Sequence, residues 1–219
     1  EVTHIVTHVA GASHKNADNT SRQLIVKDCR PQERFVLEHE VGNRHDKHAT
    51  KVLRTNGQQV GYLPQETSIF RKLTVKQNVM AILEIQPMSP GDREDRAEML
   101  LEELGINHLA TQKANVLSGG EKRRLEISRA LATNPAFILL DEPFAGIDPL
   151  AVTDIKNIIN HLKRRGIGIL ISDHNVRETL GVCDNAYILV DGQIIESGTP
   201  EEVASSEAAC RSYLGEDFR

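Results

Sequence analysis

Two adjacent carboxylates, Asp141 and Glu142, follow the apolar run Phe137–Leu140. An apolar strand ending in paired carboxylates can hold Mg²⁺ on one and orient or deprotonate a water with the other, as attack on a γ-phosphate requires. A second apolar run, Ile167–Ser172, ends in Asp173-His174. A histidine so placed can reach a phosphate or orient a water. Leu117-Ser118-Gly119-Gly120-Glu121 has capping-box spacing, with Ser118 at the cap and Glu121 three residues on. Two glycines at the mouth of a helix let backbone N–H groups approach an anion, and the helix dipole favours negative charge there. Gly146-Ile147-Asp148-Pro149 reads as a turn. Each piece also has a bland reading: a capped helix, a strand end, a surface histidine.

These residues need a scaffold, and beyond residue 66 the chain alternates helical and strand patterns. Ser89-Pro90 opens a helix with apolar stripe Ala97, Leu100, Leu101 and Leu104, and Gly105 stops it. The helix Lys122–Ala132 follows the double glycine. Val152, Ile155, Ile158, Ile159 and Leu162 form the next helical face, closed by Lys163, Arg164, Arg165 and Gly166. Phe137–Asp141 and Ile167–Ser172 read as buried strands. Asp191-Gly192 joins Ala186–Val190 to Gln193–Glu196 as a hairpin, and Thr199-Pro200-Glu201-Glu202 is a capping box. Strands alternating with helices imply a mostly parallel sheet covered by helices.

The first third has a different texture. Val2–Ala10, Gln23–Val26, Arg34–Glu38, Lys51–Leu53 and Gln59–Leu63 read as short strands, with Asn56-Gly57 a hairpin signal. Before residue 66 a helical period is suggested only around Asp46–Lys51. Residues 1–58 carry nine Lys/Arg against seven Asp/Glu, whereas residues 59–219 carry seventeen against twenty-four. That asymmetry suggests two segments of separate history, without the basic face expected of a nucleic-acid domain. His4, His8, His14, His39, His45 and His48 crowd the first segment and His4 and His8 would share a face, but the segment reads as mixed strand and turn rather than as a helix, which weighs against a metal site. Cys29, Cys183 and Cys210 form no disulfide framework, so a reducing compartment is expected. The longest apolar runs are too short to span a bilayer, and no signal peptide stands at the start. The chain begins with Glu1 rather than Met, as expected of a cut or incomplete N-terminus.

From about Val60 to Arg219 the motifs together resemble the ABC ATPase family. Ser118-Gly119-Gly120 is similar to its signature motif, Asp141 to the Walker B aspartate, and Glu142 to the catalytic glutamate. Ala145–Asp148 is similar to the D-loop, His174 to the switch histidine, and Gln65 in Gly61-Tyr62-Leu63-Pro64-Gln65 to the Q-loop glutamine. Within the family, Glu66–Leu73, Asp173–Leu180 and Tyr213–Arg219 are similar to the branch that powers lipopolysaccharide export. The resemblance implies an α/β P-loop NTPase-like core with a helical signature subdomain. It implies ATP and Mg²⁺ as ligands, with Asp141 and Gln65 on the metal and Glu142 and His174 catalytic. Gln65, Ser118, Gly119, Gly120, Glu121 and Asp148 would contact nucleotide. It also implies a head-to-tail dimer of ATPase subunits, bound to membrane subunits at the cytoplasmic face of the inner membrane. One part is absent: no G-x-x-x-x-G-K-S/T occurs in these 219 residues. That loop supplies the N–H cradle and the lysine for the β- and γ-phosphates, so the core is expected to be incomplete and the chain inactive alone.

Residues 1–66 resemble the HIRAN family, a small β-rich module of DNA-repair helicases that recognises DNA ends. The matching residues are Val9-Ala10-Gly11, Ser21-Arg22-Gln23, Glu40, Asn43, Asp46, Ala49, Val52, Gly57 and Val60–Pro64. The resemblance implies weak single-stranded DNA binding through residues 1–66. Val60–Glu66 belongs to both patterns, as a fusion or an artificial chimera would leave it. One strand cannot occupy the same ladder place in two sheets. The expectation is therefore that the ABC sheet has a gap where the strand before the P-loop would lie, with Phe137–Asp141, Ile167–Ser172 and Ala186–Val190 facing it.

Overall fold

The computed structural model of the protein describes residues 4–8, 25–27, 34–36, 53–55, 58–190 and 193–209, with side chains placed within 59–189 and 193–209. The central sheet is built from β1 (His4–His8), β4 (Leu53–Thr55), β5 (Gln58–Leu63), β6 (Phe137–Asp141), β7 (Gly168–Ser172), β8 (Asn185–Val190) and β9 (Gln193–Gly198), in the order β4-β5-β6-β7-β1-β8-β9. The remaining strands, β2 (Ile25–Lys27) and β3 (Arg34–Val36), pair with each other. Pairing is parallel from β5 through β8 and antiparallel at both edges. Ile138, Leu140, Ile169 and Ile171 are buried on one face of its middle and Leu170 on the other, as in a parallel sheet packed between helices.

The expected gap does not exist. His4–His8 lies in it, parallel to both neighbours, with Ile5 opposite Ile171 on one side and Ala186 on the other. Its neighbours β7 and β8 would otherwise leave two rows of buried N–H and C=O groups unpaired, each costing about 1–3 kcal/mol. A five-residue strand from elsewhere in the chain removes that cost. The overlap at Val60–Leu63 is resolved too. That strand pairs with β4 on one edge and β6 on the other, within the one central sheet.

Both hairpin signals mark two-residue connections, with Thr55 opposite Gln58 and Val190 opposite Gln193. The helix suggested around Asp46–Lys51 falls outside the described residues. Gly168 sits opposite Phe137 in the β6–β7 ladder. A Cβ there would lie 2.3 Å from the Phe137 ring, so only glycine lets the ring lie across β7.

Helix α1 (Val75–Leu83) carries a capping box between Thr74 and Gln77 that the sequence reading passed over. Helix α2 (Pro90–Glu103) starts at the Ser89 cap, and α3 (Gly119–Leu131) starts at Ser118. These three pack together around Val75, Val79, Leu83, Ala97, Leu100 and Leu125, all fully buried. Helix α3 also rests on β5, joining this helical region to the sheet. Helix α4 (Pro149–Arg164) packs on β7, and α6 (Pro200–Ser205) on β8 and β9, with the short α5 (Val176–Leu180) between them in sequence. Among the described residues no helix is long and apolar enough to cross a membrane.

Candidate functional site

Parallel strands present their carboxyl ends on one edge, which is where ligands bind in sheets of this kind. Here β5 leads into Pro64-Gln65, β6 ends at Asp141 before Glu142, and β7 leads into Asp173-His174. Gln65 Nε2 donates to Glu142 Oε2 at 2.7 Å, and His174 Nδ1 lies 3.4 Å from the same oxygen. Three residues singled out by the sequence thus converge on one carboxylate. Glu142 has a φ of 43°, a left-handed conformation rare outside glycine and concentrated at functional sites. Its own N–H donates to Ser172 O at 2.7 Å, which holds the kink against β7.

Asp173 was read only as a neighbour of the histidine. It is 1% exposed, and its two oxygens accept from Phe144 N at 3.1 Å and Asn175 N at 2.8 Å. It therefore staples the loop after Glu142 to the loop bearing His174. The only sequence signal for this role is an acidic residue adjoining a site histidine.

Asp141 accepts from the Tyr62 hydroxyl at 3.3 Å. Burial first, and the Asp141 charge second, push the Tyr62 phenol up to about 12. The folded chain thus keeps a proton that the unfolded chain loses near the ordinary tyrosine value of about 10. The sign follows from linkage: this residue's contribution to stability is lost as pH climbs from about 10 toward 12. Phenolate absorbance during an alkaline titration should show Tyr62 ionising near 12; ionisation at the ordinary value would mean that the Asp141 contact and the burial are not formed in solution.

The glycine pair occupies a different surface. Ser118 Oγ accepts from Glu121 N at 3.3 Å, while Glu121 Oε2 accepts from Ser118 N at 2.7 Å and Ser118 Oγ at 2.8 Å. The Ser118 backbone N–H first, and its hydroxyl second, hold the Glu121 carboxyl below the usual carboxylate range. Glu121, expected to contact nucleotide, thus serves the cap. Asp148 is engaged similarly, accepting from Leu150 N at 3.1 Å and Ala151 N at 3.0 Å as the N-cap of α4. Gly119 and Gly120 open the helix, where backbone N–H groups lack intrahelical acceptors. A Cβ on Gly120 would meet Ala151 Cβ at 2.9 Å, so this glycine is also required for close packing on α4. Ser118, Gly120, Glu121, Asp148 and Ala151 help line a cleft of about 260 Å³, whose lining includes none of Gln65, Asp141, Glu142 and His174.

The donor set fits Mg²⁺ held through a nucleotide. Mg²⁺ uses one or two carboxylates and takes its other ligands from phosphates and water, and Asp141 with Gln65 could supply that share. Among the described residues no group of three His, Cys, Asp or Glu could cage a metal by itself. Of the six N-terminal histidines, His14, His39, His45 and His48 lie outside the described residues.

A parallel sheet with glutamine, Asp-Glu and histidine at its carboxyl edge, and a Ser-Gly-Gly helix mouth alongside, defines an ATPase of the ATP-binding cassette class. The ABC transporter family model matches residues 22–145, and the chain belongs to that family. It is 60% identical over 161 residues to the lipopolysaccharide export system ATP-binding protein LptB of Escherichia coli, and 58% identical to that of Haemophilus influenzae. Each alignment covers 73% of this chain and 67% of the relative. A probable ABC transporter ATP-binding protein of Azorhizobium caulinodans is 55% identical over 160 residues, 73% of this chain and 57% of its own. Among solved structures, an ATP-binding cassette in its ADP conformation aligns with TM-score 0.61 and 35% identity, covering 72% of this chain and 68% of the other. A nucleotide-free cassette aligns with TM-score 0.62 and 31% identity, covering 75% and 77%. The family match begins at residue 22, inside the segment that the sequence assigned to a separate module.

Proposed function

We propose that this chain is an ATP-binding subunit of a lipopolysaccharide exporter of the ABC type, unable to hydrolyse ATP alone. The observation that carries the reading is the convergence of Gln65 and His174 on Glu142 beside Asp141. In this reading Asp141 and Gln65 hold Mg²⁺ on the nucleotide, and Glu142 and His174 orient the attacking water. Phosphoryl transfer depends mainly on positioning and charge stabilisation of the γ-phosphate. These 219 residues contain no G-x-x-x-x-G-K-S/T loop to provide either. The subunit works head-to-tail with another ATPase, on membrane subunits at the cytoplasmic face of the inner membrane. The separation of the Ser118–Gly120 cleft from the Glu142 cluster supports that arrangement, since each nucleotide would then touch the carboxyl edge of one subunit and the glycine pair of its partner. A single-stranded DNA reading of residues 1–66 has the HIRAN resemblance behind it and no structural observation.

The test uses a P-loop-bearing exporter ATPase as partner. Excess chain added to it should form mixed dimers with at most one working site, so that the partner's turnover falls as the titration proceeds. Turnover that stays constant under a large excess removes the reading.

A further inference from the structure

The β5–β6 ladder stops at Leu63 opposite Leu140. It cannot continue, because Pro64 has no N–H to donate. Yet the two residues just beyond, Gln65 and Glu142, are held within 2.7 Å of each other. One side chain bridges the place where the ladder ends. Arg123, 6% exposed, donates from Nη1 to Pro64 O at 3.0 Å and from Nη2 to Asp141 O at 3.0 Å. These carbonyls belong to the residues immediately preceding Gln65 and Glu142. A planar guanidinium presents its donors in a rigid fork, so it fixes the separation of two acceptors where a single ammonium could not. Glu126 holds the fork in place: its Oε2 accepts from Arg123 Nη1 at 3.1 Å, and its Oε1 accepts from Ser68 N at 2.8 Å. Arg129 adds a donor to Ser68 O and lies over the Phe70 ring. Glu142 is already tied to the β7 side through Ser172 O; Arg123 supplies the tie on the β5 side.

We propose that Arg123 is a positioning residue that sets Gln65 and Glu142 in register across the end of the β5–β6 ladder. It sits one turn into α3, behind the glycine pair. Any displacement of that helix therefore reaches the Gln65–Glu142 contact through this side chain. The functional weight of the proposal rests on the ATPase reading of those two residues. The test does not, because it reads their hydrogen bond directly and without nucleotide.

The experiment is solution NMR of the chain itself, following the Gln65 side-chain amide in the parent, Arg123→Lys, Arg123→Gln and Val79→Ala. The last is a core substitution on α1 that destabilises without touching either carbonyl. In both Arg123 variants the Gln65 amide signals should move toward free-amide positions and exchange with water at least about tenfold faster, as a charge-assisted bond is loosened. Arg123→Lys keeps the charge opposite Glu126, so a folded spectrum elsewhere shows that the change is local. The Val79→Ala signals should stay in place. Gln65 signals unchanged in the two Arg123 variants, or moved equally by Val79→Ala, would overturn the proposal.

Discussion

Exchanging residues 1–58 for the matching segment of an ABC relative that carries a P-loop, joined at β5, is expected to give steady ATP hydrolysis where the 219-residue chain is expected to show none above background. The geometry favours the graft. The strand His4–His8 lies between β7 and β8 and parallel to both. A relative's strand in that place would deliver its P-loop to the edge where Leu63, Asp141 and Ser172 end. The cluster proposed to act on the γ-phosphate already stands there, with Gln65 and His174 on Glu142. Within the graft, Glu142→Gln should lower kcat by about 10²–10⁴, the usual range for loss of a positioned general base. KM should change little, because the role proposed for Glu142 is to orient the water and not to bind the nucleotide. A folded graft without turnover, or one whose Glu142→Gln variant turns over as fast as its parent, would show that the cluster is not a hydrolytic site.

Removal of the Asp173 carboxylate should lower stability measurably. Asp173→Ala leaves the buried Phe144 N–H without an acceptor and releases Asn175 N–H as well. An unsatisfied buried donor costs about 1–3 kcal/mol. Asn175 is exposed, so its N–H can turn to water. The expected loss is therefore about 1–3 kcal/mol, a large share of the ~5–15 kcal/mol that holds a domain together. Asp173→Asn should lose less, because one acceptor oxygen survives and the substituted NH₂ faces a single N–H. Denaturant midpoints of the two variants, at unchanged slope, check the order. Equal midpoints for Asp173→Ala and the parent would mean that the staple contributes nothing. In the grafted chain, Asp173→Asn should also lower kcat, because this carboxylate helps hold together the loops carrying Glu142 and His174.

Much of the architecture was legible in the residues. Capping boxes at Ser118 and Thr199, the Ser89-Pro90 start and the two-residue hairpins are local features, decided within four residues by side chains that satisfy helix-end N–H groups or by turns that need positive φ. The buried strands Phe137–Asp141 and Gly168–Ser172 announced themselves by continuous apolar runs. Helix α1 was missed although Thr74 and Gln77 form a capping box. No proline, glycine or sharp change of composition marked its entry.

The chemical inventory came from the sequence alone: Gln65, Asp141, Glu142 and His174 as groups suited to a phosphate, and Ser118-Gly119-Gly120 as a helix mouth suited to an anion. Their meeting was decided by the parallel register of β5, β6 and β7, which brings residues as far apart as Gln65 and His174 to one Glu142 oxygen. Only the tertiary structure revealed that Asp148 is engaged as a cap, that Asp173 staples two loops, and that Arg123 bridges a ladder which Pro64 ends. The sequence pointed to a gap in the middle of the sheet, and the structure closes it with His4–His8. The physical reason is that strand propensity is local while strand partnership is not. Five residues with three β-branched side chains, Ile5, Val6 and Thr7, suit many ladders, and the cost of unpaired backbone between β7 and β8 selected which ladder they joined.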